Sequence, residues 1–340
     1  VPLAEQARAA RERGLDWLAA RQGESGAWRA NIGLKISDGY IISHADAAHP
    51  GVSALAGLAL LASEAKPHTA CVGALIDYLR SRTEEDGLIR DNGSRMYSHA
   101  FALLFLGEAH AQRPNADLRS TAAKAADFTF KCQSPRGGWG YAPFGIETDI
   151  TVTACAATAL RAARDGGLHV PDETFRRAAR YLLNSAHTLP DDEIGAFDYQ
   201  WRAESPLPTR RSHATAAAGL AGLLAAGLRT DEEIERFVRA ESLPRFIPGG
   251  DPLPGFPPVL AHLRSRRESV EKGHYAFWFG NLLAGRALAS LGGVEHEIWT
   301  EALRFDLVRM QAPDGSWADT RVGPSFATAC ACLILEAAGR

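Results

Sequence analysis

The pattern Gln-x-x-x-Gly-x-Trp occurs three times in this chain, at Gln22 to Trp28, Gln133 to Trp139 and Gln311 to Trp317. A turn repeated with its glutamine, glycine and tryptophan at one spacing implies a repeated supersecondary unit, so the fold is an array of similar pieces. Weaker copies centre on Gly87, Gly195 and Gly250, and the glycines then recur every 50 to 65 residues. The glycine permits the turn, the glutamine can satisfy free backbone groups at a helix end, and the tryptophan can pack on the next repeat.

What flanks each glycine defines the unit. Before it comes an amphipathic helix: in 171 to 186, Phe175, Ala178, Ala179 and Leu182 follow i, i+3, i+4, i+7, while Arg176, Arg177 and Arg180 fall on the other side. Thr230 and Glu233 have capping-box spacing for another such helix. After it comes a helix such as 150 to 160 or 212 to 228, with no Asp, Glu, Lys or Arg, and a helix apolar all round is buried all round. Six outer helices are predicted at about 4–22, 68–82, 116–132, 171–186, 230–242 and 295–311. Six inner ones are predicted at about 51–65, 96–112, 149–165, 211–227, 274–291 and 324–338. The expected fold is an all-α (α/α)6 toroid in one domain, 1–340. Gly166-Gly167, Gly227, Gly292-Gly293 and Gly339 would end inner helices. The long connections 29–50, 187–210 and 243–273 each precede an inner helix, so they gather where the inner N-termini converge, the expected binding face.

Composition removes some partners. With 37 basic and 40 acidic residues, the chain has no field suited to nucleic acid. Five cysteines without a CxxC pair fit reduced thiols in a cytoplasm. No apolar run reaches the roughly 18 to 20 residues of a membrane span, the longest being broken by Glu64, Asp77 and Glu108, which leaves at most peripheral membrane contact. The start at Val1 leaves a removed signal peptide open.

The repeated turn resembles the QW repeat of squalene and hopene cyclases and of prenyltransferase β-subunits. Through Gly137-Gly138-Trp139-Gly-Tyr141, then Asp149 to Thr153, then Gly167-Leu-His-Val-Pro171, the chain is most similar to bacterial single-domain prenyltransferase and squalene oxidase repeat proteins. Asp149-Ile-Thr151-Val152-Thr153-Ala154 resembles the Asp-x-Asp-Asp-Thr-Ala of class II terpene cyclases, in which the middle aspartic acid protonates an alkene or epoxide. Thr151 and Val152 stand at the second and third positions here. A threonine hydroxyl is too weak an acid for that step, so either Asp149 acts in its place or the reaction differs. Lys272-Gly-His274-Tyr275-Ala-Phe277-Trp278 resembles the Asp-Gly-Cys-Tyr-Ser-Phe-Trp of protein prenyltransferase β-subunits, whose aspartate and cysteine hold zinc with a later histidine. Lys272, His274 and Ala327 occupy those places, so no zinc and no other cofactor is expected. The same resemblance matches Tyr275 and Arg266 to a tyrosine and an arginine that hold the isoprenoid diphosphate.

At or near the inner helix N-termini stand His49, Tyr97, His99, Asp149, Thr151, His213, His274 and Tyr275, with Arg95, Arg210, Arg211 and Lys272 just before. Each alone reads equally as a cap or a hydrogen-bonded core residue. Together they suggest a wet or ligand-filled cavity. Small residues such as Ala154, Ala157 and Ala217 leave lumen unfilled, and Tyr97, Phe101, Tyr275, Phe277, Trp278 and Phe326 either line it or pack the core. Aromatic walls stabilise a carbocation, and converging helix N-termini with Arg210 and Arg211 favour an anion. An isoprenoid diphosphate satisfies both.

The expected function is therefore that of a terpene-cyclase-like enzyme on a hydrophobic, isoprenoid substrate. Asp149 is the first candidate acid, with His99, His213 or Tyr275 as partners. Tyr97, Thr151, Arg210, Arg211, Arg266, His274, Phe277 and Trp278 are expected to hold the substrate. Two rivals remain. A lipid or peptide binding module would use the same cavity with Asp149 as a mere cap. A carbohydrate-active toroid would draw on Asp191, Asp192, Glu193, Asp198 and Trp201 in a long loop, against which stand the few carboxylates on the inner helices.

Overall fold

A computed structural model describes the chain except residues 37–38, 64, 188–195, 203–208, 244–259, 261–262, 264–271, 273 and 340. In chain order its principal helices are α1 (Leu3–Ala20), α2 (Pro50–Leu61), α3 (Lys66–Ser81), α4 (Met96–Gln112), α5 (Ala116–Lys131) and α6 (Ile150–Asp165). They continue as α7 (Asp172–Asn184), α8 (His213–Ala225), α9 (Asp231–Ala240), α10 (Tyr275–Leu291), α11 (Gly293–Met310) and α12 (Pro324–Ala337). The six even-numbered helices form the inner ring, each packed on the next, and α12 closes the ring on α2. The odd-numbered helices surround them. The protein is thus a mostly helical α/α toroid, as the alternation of helix types predicts.

Burial follows the two helix patterns. Every residue of α2 is buried, because it meets helices on all sides. In α7 the face of Phe175, Ala178, Ala179 and Leu182 is buried while Arg176 and Arg180 are exposed. Thr230 and Glu233 form the capping box that starts α9, with backbone to side-chain bonds of 3.2 and 3.1 Å.

The three repeated turns have one geometry. Gln22 Nε2 donates to the Gly26 and Cys71 carbonyls at 2.8 and 2.9 Å. Gln133 does the same to Gly137 and Thr174 at 2.7 and 3.0 Å, and Gln311 to Gly315 and Ala10 at 2.8 and 2.7 Å. One acceptor lies in the turn and the other on a neighbouring outer helix. Each tryptophan indole donates back to the preceding outer helix, at Leu18, Thr129 and Leu307, over 2.7 to 2.8 Å. The third copy bonds to α1, so it joins the last repeat to the first. Gly137 has φ +94°, and a Cβ there would stand 2.2 Å from the Arg177 carbonyl oxygen, which leaves glycine alone able to turn against that helix.

One connection differs from the expectation. Residues 29–50, read as a loop, carry an antiparallel hairpin of β1 (Arg29–Ile36) and β2 (Gly39–Ala48), with Arg29 opposite Ala48 and Leu34 opposite Ile41. Its isoleucine-rich strands favour pairing, and the Asn31 amide donates to Val322 O at 2.8 Å, pinning the hairpin to the rim ahead of α12. A second pair, β3 (Ala186–His187) and β4 (Ala196–Phe197), is two residues long. Neither forms a core. Among the described residues no helix is long and apolar enough to cross a membrane.

Candidate functional site: an aromatic cavity at the mouth of the ring

Residues at the heads of all six inner helices converge on one cavity of about 490 Å³, a volume typical of small-molecule sites. His49 and Val52 enter from α2, Tyr97 and Phe101 from α4, and Thr151 from α6. His213 enters from α8, Tyr275 and Phe279 from α10, and Phe326 from α12. Helical spacing explains the pairs: Tyr97 with Phe101, and Tyr275 with Phe279, are i and i+4 on one face.

Asp149 stands just behind the cavity wall. It caps α6 and is 1% exposed, behind the wall that Thr151 presents to the cavity. Its Oδ1 accepts from the Thr151 and Val152 amides at 2.6 and 3.0 Å and from the Thr151 hydroxyl, which itself bonds the Tyr97 hydroxyl. Its Oδ2 is buried with no hydrogen-bond partner. Burial raises the pKa of the carboxyl, against the pull of its hydrogen bonds from the Thr151 hydroxyl and the helix amides. Beside it Tyr141 and Tyr199, both on the cavity wall, share a hydroxyl-to-hydroxyl bond of 2.6 Å. Burial and the Asp149 charge push Tyr141 up to about 12 and Tyr199 well above its ordinary value.

The expected site residues divide clearly. Asp149, Thr151, Tyr97, His213, His274, Tyr275, Arg210 and Arg211 gather at or against the cavity. His274 caps α10 through Nδ1, which accepts from the Ala276 amide at 3.2 Å. Arg211 is held by Asp198 at 2.8 Å with both side chains nearly buried, so its charge is already matched. Lys272 bridges to Asp306 at 2.5 Å. Arg266 lies outside the described residues, as do Asp191, Asp192 and Glu193.

Three expectations need correction. His99 does not reach the cavity: it is fully buried, its Nδ1 accepts from the Ile89 amide at 3.0 Å, and its Nε2 meets Thr129 Oγ1 at 2.9 Å. Ser53, Thr153 and Thr328 accept the Trp28, Trp139 and Trp317 amides in the other repeats, at 2.8 to 3.0 Å. His99 fills that same position, with Ile89 in place of the tryptophan. Burial lowers its pKa to about 4, which keeps it neutral. Phe277 and Trp278 are likewise buried in the core, 1% and 0% exposed, because they fall off the face of α10 that carries Tyr275 and Phe279.

Other residues escaped the sequence reading. Tyr40 arrives from the hairpin, with its ring 5.7 Å from that of Tyr275, and Tyr199 arrives from a long connection. Asp319, 7% exposed, holds the turn into α12 through Oδ1, while its Oδ2 is buried without a partner. Like Asp149 it is a buried carboxyl with one unpartnered oxygen, and it lies three inner helices around the ring from Asp149. A shared offset could have found these: Tyr141, Tyr199 and Asp319 all lie two residues after the aromatic of their turn, at Trp139, Phe197 and Trp317.

No family model matches the chain. A drimenyl diphosphate synthase from Streptomyces showdoensis is 32% identical over 155 residues, which is 44% of this chain and 26% of that relative. The match therefore spans about a quarter of the length of the curated relative. A variant of the type II terpene cyclase MstE from Scytonema, in complex with its substrate geranylgeranyl dihydroxybenzoate, superposes with a TM-score of 0.59 over 99% of both chains at 15% identity. An alpha-1,6-mannanase from Salegentibacter sp. HEL1_6 does so with a TM-score of 0.63 over 99% of both chains at 10% identity. These structures share the fold, and two chemistries use it. The chain thus shares the α/α toroid fold with a type II terpene cyclase and with a mannanase, and a stretch of sequence similarity with a drimenyl diphosphate synthase.

Proposed function

We propose that the protein is a type II terpene-cyclase-like enzyme that protonates an isoprenoid alkene in this cavity, with Asp149 as the source of the proton. One observation carries the reading: a buried carboxyl of raised pKa stands directly behind an aromatic cavity, with one oxygen saturated and the other unpartnered. Burial favours the protonated form of the acid, and the aromatic faces of Tyr97, Phe101, Tyr275 and Phe279 stabilise the cation it creates. Arg95 and Arg210 at the same cavity, with the six helix N-termini, favour an anionic group on the substrate's head. Thr151, at the place of the usual acid, takes a supporting part by donating to Asp149.

The carbohydrate reading draws on the shared fold, yet glycoside hydrolysis needs a carboxyl pair facing the scissile bond. Among the described residues no Asp or Glu lines the cavity, and Asp198 is engaged by Arg211. The test is incubation with farnesyl diphosphate, geranylgeranyl diphosphate and geranylgeranyl dihydroxybenzoate, followed by mass spectrometry. A product isomeric with its substrate, made by the native protein and lost in Asp149→Asn, is the expected result. Equal turnover by Asp149→Asn would remove Asp149 from the reaction; binding without turnover would make the protein a lipid-binding module.

A further inference from the structure

The cavity has a floor, and two aromatic rings make it. Phe101 from α4 and Phe279 from α10 meet edge to face with ring centroids 6.5 Å apart, and α4 and α10 stand opposite each other in the ring of six. Each lies four residues along its helix from a tyrosine at the mouth, Tyr97 and Tyr275, which is about 6 Å down the lumen at 1.5 Å per residue. The lumen does not end there. A separate void of about 10 Å³ lies beyond, among Leu58, Leu104, Cys155, Leu282 and Leu333, and Leu55 and Phe101 belong to the walls of both spaces. Seven residues past each ring, Arg286 of α10 donates to Glu108 of α4. This ion pair joins the same two opposite helices, and its partly exposed side chains mark the far end of the lumen.

We infer that Phe101 and Phe279, with Leu55, form the floor that limits the length of the apolar chain this cavity accepts. The inference rests on the reading of the cavity as an isoprenoid site, and not on which group supplies the proton. An anionic head stays at the mouth, among the helix N-termini and Arg95, because charge is costly to bury. The tail then points down the lumen, where Val52, Leu55, Phe101, Phe279 and Phe326 offer apolar walls, and each carbon above the rings gains from burial. A carbon that reaches the rings gains nothing, since it can pass only by breaking their packing. An extended five-carbon unit adds roughly 5 Å at carbon–carbon bonds of about 1.5 Å. The rings and the ion pair are about 10 Å apart along the helices, and their side chains fill part of that, so opening the floor makes room for one more unit. The ion pair stops the next one, because an apolar tip would strip water from its charges and give no hydrogen bond in return.

The test measures binding, by titration calorimetry on the full chain, of geranyl, farnesyl, geranylgeranyl and geranylfarnesyl diphosphates, each one five-carbon unit longer than the last. In the native protein Kd should fall at least about 10-fold for each unit the lumen accommodates and then level off. Phe101→Ala should move that plateau one unit longer. Truncating a buried ring costs stability, so Phe101→Leu and Phe279→Leu accompany it, with a melting curve to show that each is folded; both should shift preference toward the longer chain. Leu104→Ala is the control, because it enlarges the void without breaching the floor, and it should leave the plateau in place. A native series without a plateau, or folded Phe101 and Phe279 variants that keep the native plateau, overturns the floor and leaves the isoprenoid reading standing. A plateau moved equally by Leu104→Ala also overturns it, since a general loosening of the core then accounts for the shift. Failure of all four diphosphates to bind the native chain overturns the isoprenoid reading, and the floor with it.

Discussion

Gln133→Ala tests the claim that the repeated turns hold the ring together. The side chain is buried, and its Nε2 donates to the Gly137 and Thr174 carbonyls at 2.7 and 3.0 Å, one in its own turn and one on α7. Alanine leaves both carbonyl oxygens without that donor. At about 1 to 2 kcal/mol for each lost bond, the loss is about 2 to 4 kcal/mol. Unfolding entropy of about 2.1 cal/mol/K per residue gives about 0.7 kcal/mol/K for this length, so Tm should fall by about 3 to 6 °C. Calorimetry on the full chain measures it. Gln311→Ala, which removes bonds to Ala10 and Gly315 of 2.7 and 2.8 Å, should lose a similar amount although its partner is 301 residues away in sequence. A drop below about 1 °C in both variants would refute the role of the glutamine as a tie between repeats.

Two further outcomes follow from the buried groups. Burial raises the folded pKa of Asp149 above its unfolded value, so its contribution to stability is fully present below the unfolded pKa and is lost as pH rises through the folded one. Asp149→Asn should therefore gain stability relative to the native protein as pH rises, and a difference in Tm that does not vary with pH would contradict the assignment. His99→Phe should cost about 2 kcal/mol by leaving the Ile89 amide and the Thr129 hydroxyl without the ring nitrogens, with KM and kcat unchanged. A selective loss of kcat in a stably folded His99→Phe would return His99 to the catalytic group.

The helices and their order were legible in the amino-acid sequence because they depend on local periodicity. An apolar stripe at 3.6-residue spacing defines α7, and a run without charge defines α8, whatever surrounds them. The turns were legible for the same reason: glutamine, glycine and tryptophan act within seven residues, and only glycine accepts the φ of +94° at Gly137. Asp149 was legible as a polar head on an apolar helix. The rest depended on long-range geometry. Sequence placed Phe277 and Trp278 in the aromatic wall and passed over Phe279, because the rotation of α10 about its axis is set by packing between helices. His99 shared its chemistry with His213; only the position of the Ile89 amide shows that one supports a turn while the other faces the cavity. Tyr40 and Tyr199 reach the cavity from connections whose course no periodicity describes. The bonds to Asp149 Oδ1 come from Thr151 and Val152 within its own helix head, but the burial of Oδ2 and the bond between the Thr151 and Tyr97 hydroxyls exist only once α4 and α6 are packed together, because they depend on groups brought within reach across 54 residues of chain.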